Sequence, residues 1–183
     1  MKKQTGLLLL VLLACGLCFT APAKAQEAGE RVFEIYVGEY VPGIDDLDND
    51  LTGGIRFGGR PGEMWGYSFE AGYLDLTQNN TRPLENIIGG ADGYFVDGNV
   101  IWYIMGSDFG LFGGIGFASV DVDFLGTTTD ASDDAFTYNY GIHYAWNFGG
   151  HYLVKPEIRW RKFDGDTYEK TDEEYSVSFG WRF

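Results

Sequence analysis

Few residues in this chain have the chemistry of a catalytic site. Its 183 residues include two histidines, His143 and His151. A histidine that acts as a base must lie within about 3 Å of the nucleophile it activates, and neither histidine belongs to a recognisable Ser-His-acid pattern. His143 lies inside an alternating segment, and His151 follows two glycines at a predicted turn. We therefore predict a buried, hydrogen-bonded His143, an exposed His151 and no enzymatic activity.

A second set of residues with possible chemistry is an acidic run. Asp46, Asp48 and Asp50 have a D-x-D-x-D spacing that can supply oxygen ligands to Ca²⁺. However, Leu51 stands where a calcium loop needs glycine, and no glutamate stands at the closing position. The run favours a solvated acidic surface and no cofactor, with binding of Ca²⁺ or Mg²⁺ as the alternative.

The N-terminus has the pattern of a secretory signal peptide. Two lysines precede a short apolar run, Leu7–Leu13, and Ala23-Lys24-Ala25 matches the small-x-small cleavage pattern. The apolar run is shorter than the roughly 20 residues that a spanning helix needs. We predict a signal peptide over residues 1–25, cleaved before Gln26, and one domain over residues 26–183.

The two cysteines, Cys15 and Cys18, lie inside the predicted signal peptide. Leu12-Leu13-Ala14-Cys15 resembles a lipoprotein cleavage box, so lipidation of Cys15 is the alternative. If cleavage occurs before Gln26, the mature chain has no cysteine, which excludes disulfides, thiol catalysis and cysteine metal sites.

The composition of the mature chain is acidic, aromatic and rich in glycine. Ten basic residues stand against 27 acidic ones after cleavage, a net charge of about −17. A nucleic acid partner is excluded because no basic patch is present to neutralise phosphates. Aromatic residues make up 17% of the chain, and 27 residues are glycine, which is typical of strands that face lipid rather than of a helical protein.

Alternation of apolar and polar residues with a period of two recurs in segments of about ten residues, which predicts β-strands. In the last segment, Tyr175, Val177, Phe179, Trp181 and Phe183 share one face. The eight segments are residues 33–38, 51–58, 65–73, 96–104, 109–118, 136–146, 152–161 and 175–183. An even number of strands is typical of single-chain bacterial outer-membrane barrels.

The predicted connections alternate between short and long. The short ones are at residues 60–63, 106–108 and 149–151; the long, polar ones are at residues 42–50, 75–90, 121–134 and 164–173. This alternation is typical of a barrel with periplasmic turns and extracellular loops, and it predicts that both termini are periplasmic.

The polarity of the two faces distinguishes a membrane barrel from a soluble one, whose large apolar residues would point inward. The aromatic face is predicted to contact lipid, because a midplane Arg or Lys in lipid costs about 2–4 kcal/mol. The opposite face would then hold a charge network of paired acids and bases in the lumen: Glu34, Arg56, Glu70, Asp97, Lys155, Glu157, Arg159, Arg161 and Arg182.

The rest of the negative charge is predicted to lie in the extracellular loops, where cations could bridge it to lipopolysaccharide phosphates. Besides the Asp46 run, the acids assigned to this surface are Asp130, Asp133, Asp134, Asp164, Asp166, Asp172, Glu173 and Glu174.

The C-terminal segment resembles the assembly signal of outer-membrane β-barrels, in which the last strand and its terminal aromatic residue contact the barrel-assembly machinery. The signal residues here are Tyr175, Val177, Phe179, Trp181 and Phe183. Over residues 31–183 the chain is similar to the small eight-stranded group that includes OmpX, the OmpA membrane domain and OmpW. The resemblance implies an all-β, up-and-down transmembrane barrel in the bacterial outer membrane, in contact with lipid and lipopolysaccharide and monomeric.

Two functions fit this resemblance. The first is a non-enzymatic barrel with a plugged polar lumen that acts structurally or through acidic extracellular loops. The alternative is a narrow OmpW-like channel for small hydrophobic molecules, supported by Phe112, Ala118 and Val120 on one inner face. The lipid A deacylase and palmitoyl-transfer families do not fit, because Ala145 stands two residues after His143 where a serine is needed, and no outer loop contains a histidine.

Overall fold

The computed structural model describes residues 29–43, 48–77, 88–124, 131–164 and 171–183. The predicted signal peptide, Cys15 and Asp46 lie outside these ranges. Among the described residues, no helix has the length and apolar character needed to cross a membrane.

The described ranges form nine antiparallel strands, which alternation with a period of two predicts. They are β1 (Glu30–Val41), β2 (Asp50–Arg60), β3 (Trp65–Thr77), β4 (Ile88–Tyr103), β5 (Phe109–Phe124), β6 (Ala131–Tyr144), β7 (Trp146–Phe148), β8 (Tyr152–Asp164) and β9 (Thr171–Arg182). β6 and β7 both pair with β8 and form one barrel strand interrupted at Ala145. The prediction of eight barrel strands is therefore confirmed.

The sheet closes on itself because the first strand pairs with the last. β1 pairs with β2 on one side and with β9 on the other, with Val37 opposite Val177. With β6 and β7 counted as one barrel strand, every other neighbour in the sheet is also next in the chain, which is the up-and-down order. Gly149 and Gly150 have φ of 62° and 81° and form the tight turn between β7 and β8, a backbone region that glycine adopts without steric cost.

The two faces of the wall agree with the predicted alternation. Outward side chains are apolar and exposed, such as Ile35, Phe69 and Phe117, whereas Glu34, Arg56 and other polar residues are buried in the interior. A closed barrel of eight strands leaves an interior that side chains can fill. The buried layer is therefore polar at its centre, the reverse of a soluble barrel.

The strands are longer than the apolar pattern predicts, which corrects the boundaries of the long loops. β3 continues to Thr77, β5 to Phe124, and β9 begins at Thr171. These extensions carry aspartates on the outward face: Asp75 lies opposite Asp92, which lies opposite Asp121. Backbone pairing continues here because ladder hydrogen bonds do not require apolar side chains.

Candidate functional site

The charged interior is built from residues that the strand register places at one level. Glu34 lies opposite Arg56, Arg56 opposite Glu70, and Glu70 opposite Asp97 across β1 to β4. β8 supplies the facing side with Lys155, Glu157, Arg159 and Arg161, which point inward because alternate residues of a strand share a face. We call these eight residues the ion layer.

Arg159 and Arg56 connect opposite walls of the barrel. Arg159 donates to both oxygens of Glu70 at 2.9 and 2.6 Å and to Glu157 Oε1 at 2.7 Å. Arg56 donates to Glu70 Oε2 at 3.0 Å, to Glu157 Oε1 at 3.0 Å and to Glu34 Oε2 at 3.3 Å. Charge-assisted and bidentate bonds of this kind offset part of the cost of burying the ions.

The ends of the ion layer are also paired. Lys155 Nζ lies 2.7 Å from the Glu34 carboxylate, which accepts a further hydrogen bond from Ser178 Oγ at 2.6 Å. On the other side, Arg161 donates to Asp97 Oδ2 at 2.6 Å. The structure therefore brings eight of the nine predicted lumen residues into one connected network.

Aromatic rings lie over the faces of the buried guanidinium groups. The Arg161 guanidinium carbon is 3.7 Å from the ring centroid of Phe95. Arg56 and Arg159 lie 5.1 and 5.2 Å from the rings of Tyr36 and Phe112. A planar guanidinium can donate in its plane and stack on its faces at the same time, which a lysine ammonium cannot do.

Glycines on the inner face of β5 provide the space for these side chains. A Cβ on Gly116 would overlap Val96 O and Asp97 Oδ1, and one on Gly114 would overlap Asn99 Oδ1 and Gly98 O. The outward-facing Gly113 has its nearest neighbour, Asn139 O, at 3.7 Å from such a Cβ. Gly116 thus makes room for Asp97 of the ion layer and Gly114 makes room for Asn99, whereas Gly113 makes room for neither.

Apolar residues lie on both sides of the ion layer and are separated by it. Tyr40, Ala118 and Val120 belong to one buried cluster, and Phe112 belongs to another with Ile101 and Tyr103. Phe112, Ala118 and Val120 share the inner face of β5 as predicted, but they do not form one continuous apolar stretch. Between them on β5, Gly116 faces the charged Asp97 and Gly114 faces the polar Asn99 instead.

The assignment of Asp172 and Glu174 to the acidic outer surface is also wrong. Both are buried in the interior, where Asp172 accepts from Tyr40 OH at 2.8 Å and Glu174 accepts from Arg161 at 3.2 Å. The signal that could have found them is their even spacing from Ser176 and Ser178 on the inner face. Glu173 lies between them and points outward.

Arg60, which the sequence pattern predicts to lie in a turn, is a further interior residue. Its guanidinium is buried 4.1 Å from the Tyr103 ring and donates to the carbonyls of the turn residues Gly62, Glu63, Gly106 and Ser107. It cross-links two tight turns at one end of the barrel. Arg60 and Arg56 are separated by an even number of positions on β2, so they share a face, and the inward direction of Arg60 could have been predicted from this spacing.

Arg182 lies apart from the ion layer. It pairs with Glu30 at 2.9 Å and donates to Gly150 O at 3.0 Å, at the end of the barrel that carries the tight turns. Within the described ranges, the buried charged residues are seven acids and six bases: Glu34, Glu70, Asp97, Asp108, Glu157, Asp172, Glu174, Arg56, Arg60, Lys155, Arg159, Arg161 and Arg182.

His143 is buried between aromatic rings. Phe112 and Tyr103 each have their ring centroid 5.9 Å from its own, and its Nδ1 lies 3.9 Å from Glu157 Oε2. His151 is exposed in the turn before β8. Neither histidine has an arrangement that positions a nucleophile.

The structure describes two residues of the acidic run, Asp48 and Asp50. Asp50 accepts a hydrogen bond from the Leu51 backbone N–H, and Asp48 lies in the segment before β2. Among the described residues, no group of three or more His, Cys, Asp and Glu side chains could hold a metal ion.

The five signal residues share the outward face of β9 and the chain end: Tyr175, Val177, Phe179, Trp181 and Phe183.

Comparison with known proteins agrees with this geometry. No curated protein sequence matches the chain. Among solved structures, Ail, the attachment invasion locus protein of Yersinia pestis, is similar with a TM-score of 0.60 and 15% identity, covering 86% of this chain and 100% of Ail. Neisserial surface protein A has a TM-score of 0.58 and 12% identity, covering 85% of this chain and 98% of its own.

The N-terminal β-barrel domain of Pseudomonas aeruginosa OprF is similar with a TM-score of 0.56 and 12% identity, covering 86% of this chain and 100% of that domain. At these identities the likeness establishes the fold. The family model described as the outer membrane protein beta-barrel domain matches residues 11–183, nearly the whole chain. The chain therefore belongs to the family of outer membrane protein β-barrel domains.

Proposed function

We propose that this protein is a closed, non-enzymatic barrel of the outer membrane with a structural or surface-interaction role. The observation that carries the proposal is the ion layer, in which three guanidinium groups reach carboxylates on the opposite wall: Arg56 contacts Glu157, Arg159 contacts Glu70, and Arg161 contacts Asp97. A barrel whose cross-section is filled by paired side chains leaves no aqueous path.

Burial of the ion layer supports a closed interior. The side chains of Arg159, Arg161 and Glu70 are at most 1% exposed. Removing one partner of a buried ion pair costs several kcal/mol, so the layer is expected to resist transient opening. A cavity next to it, lined by Ser68, Tyr103, His143 and Lys155, has a volume of about 20 Å³, enough for about one water molecule.

A channel for hydrophobic molecules would need a continuous apolar path. Along the described interior, the cluster containing Ala118 and Val120 is separated from the cluster containing Phe112 by charged side chains. This arrangement supports a closed barrel over an OmpW-like channel for small hydrophobic molecules. Burial of His143 at 3% exposure likewise supports a non-enzymatic role, because a substrate could not reach it.

If the ion layer closes the barrel, the pure protein should show no conductance in planar lipid bilayers. We expect no discrete steps from the native chain after folding is verified by its heat-dependent gel mobility. If the double variant Arg56→Ser/Arg159→Ser folds, we expect conductance to appear, because two of the spanning side chains are removed. Arg182→Ser is the matched control and should stay closed, since Arg182 lies outside the ion layer. Reproducible steps from the native chain would instead favour the channel.

We further propose that the tight turns and both termini are periplasmic, so that the acidic loops face outward. The alternation of short and long connections supports this orientation. The variant Asp164→Cys, next to a long connection, should react with a membrane-impermeant maleimide on intact cells, whereas Gly62→Cys should not. The reverse labelling pattern would contradict the orientation.

The partners proposed for this barrel are outer-membrane lipid and lipopolysaccharide, with the barrel-assembly machinery acting during biogenesis through the β9 signal and Phe183. Divalent cations are also proposed to bridge the acidic residues of the loops to lipopolysaccharide. The protein is proposed to be a monomer, because the described strands close into a barrel, and closure removes the long sheet edges through which chains pair.

A further inference from the structure

A carboxylate lies among aromatic residues on the outward face of the barrel. Glu173 points away from the interior because its neighbours Asp172 and Glu174 are buried inside. Its Oε1 accepts from Trp160 Nε1 at 3.3 Å, and its Oε2 accepts from Tyr175 OH at 2.6 Å. The carboxylate is therefore held in one orientation by residues of β8 and β9.

An aromatic surface adjoins this carboxylate. Tyr140 lies directly opposite Trp160, and Trp160 lies directly opposite Glu173, so the three form one row across β6, β8 and β9. The rings of Tyr140 and Trp160 are stacked with centroids 5.5 Å apart and planes 19° apart. Tyr140 is 56% exposed. Tyr140, Trp160, Glu173 and Tyr175 together are called the rim patch.

The rim patch lies at the boundary of the apolar band. On β9, the outward residues below Glu173 are Tyr175, Val177 and Phe179. On β8, the outward residues beyond Trp160 are Lys162 and Asp164, both exposed. A band of aromatic residues bordered by charges marks the level of lipid headgroups.

Anchoring at a lipid interface does not by itself require a carboxylate in this place. Glu39 adds a second outward acid, since it lies opposite Tyr175 and is a diagonal neighbour of Glu173. Neighbouring like charges are destabilising. A carboxylate has about four acceptor positions, and two of those of Glu173 are used by the rim patch itself. Because Glu173 is partly exposed, its carboxylate can also accept from donors outside the protein.

We propose that the rim patch binds a pyranose ring in the headgroup of a membrane glycolipid. The apolar C–H face of a sugar ring packs on aromatic rings such as Tyr140 and Trp160, and its hydroxyls donate to a fixed carboxylate. An apolar surface with a few well-placed polar groups is the usual composition of a ligand site. The glycolipid of the outer leaflet, lipopolysaccharide, presents such rings at this level. The assignment rests on the proposed orientation, with the long connections facing outward.

The test uses the mature chain in nanodiscs of phosphatidylethanolamine and phosphatidylglycerol, with and without lipopolysaccharide. We expect lipopolysaccharide to shift the NMR resonance of the Trp160 indole N–H, which is assigned with Trp160→Phe. Native mass spectrometry should show lipopolysaccharide retained by the native chain. Glu173→Gln should reduce this retention about tenfold, because a hydrogen bond to a charged acceptor is replaced by a weaker one to a neutral amide.

Asp121→Asn is the matched control, because Asp121 is an exposed outward acid at the same end of the barrel on β5. It should retain lipopolysaccharide like the native chain. Equal retention by Glu173→Gln and the native chain, or an unchanged Trp160 resonance, would overturn the proposal. A response to delipidated core oligosaccharide as strong as that to lipopolysaccharide would overturn the membrane source. Conductance and cysteine labelling test the closed barrel and its orientation separately.

Discussion

Replacing Arg159 with methionine is expected to lower the free energy of unfolding by about 3–5 kcal/mol, the usual cost of removing one partner from a buried ion pair. Methionine fills much of the volume but leaves Glu70, Asp97 and Glu157 with one cation fewer. The measurement is equilibrium urea unfolding of the barrel in lipid vesicles, followed by tryptophan fluorescence.

Lys162→Met is the matched control, because Lys162 is on the same strand, carries the same charge and is exposed. Its cost should be about 0–1 kcal/mol, as for surface ion pairs. The double variant Arg159→Met/Glu70→Gln should be less destabilised than the sum of its single variants, with a coupling of about 0.5–3 kcal/mol. Equal costs for Arg159→Met and Lys162→Met would mean that the ion layer does not stabilise the barrel.

The second large effect is expected at Gly116, where a single added methyl group enters the ion layer. The Cβ of Gly116→Ala would overlap Val96 O and Asp97 Oδ1. Since one of these atoms belongs to the backbone of β4, it cannot move without distorting the ladder. We expect a loss of about 1–3 kcal/mol, typical of an overpacked interior, measured by the same urea titration.

Gly113→Ala provides the opposite expectation on the same strand. Gly113 faces outward, and its added Cβ would have only Asn139 O nearby, at 3.7 Å. Alanine at a compatible glycine position stabilises by about 0.4–1 kcal/mol through the unfolded chain. The two variants should therefore differ in sign. If both stabilise the barrel, Gly116 is not needed to make room for Asp97.

Much of the fold could be predicted from the sequence because side-chain direction in a strand is a local property. The alternation of Phe33, Ile35 and Val37 with Glu34 and Tyr36 assigns faces without any long-range information. The strand ends were less predictable. Where polar residues such as Asp75 and Asp121 continue the ladder, the hydrophobic pattern no longer marks the strand, although the backbone pairing persists.

The sequence predicts which residues face the interior, but it does not predict which acid pairs with which base. The inward parity of Glu70 and Arg159 is visible in the sequence, yet these residues are 89 positions apart. Any inward acid could pair with any inward base until the register of the closed sheet places them at one level. Asp172 and Glu174 were missed for a related reason. Their run of charges is typical of a loop, although their parity with Ser176 agrees with the inner face.

The sequence by itself determined an outer-membrane barrel of eight strands, with aromatic residues toward lipid and charges toward the lumen. Alternation and turn residues are sufficient for that, since both act over a few neighbouring residues. The tertiary structure alone decided that Arg56 and Arg159 bridge opposite walls and that the ion layer separates Phe112 from Ala118. It also decided that Glu173 is held between Trp160 and Tyr175. These arrangements depend on barrel closure and strand register, which only the whole sheet defines.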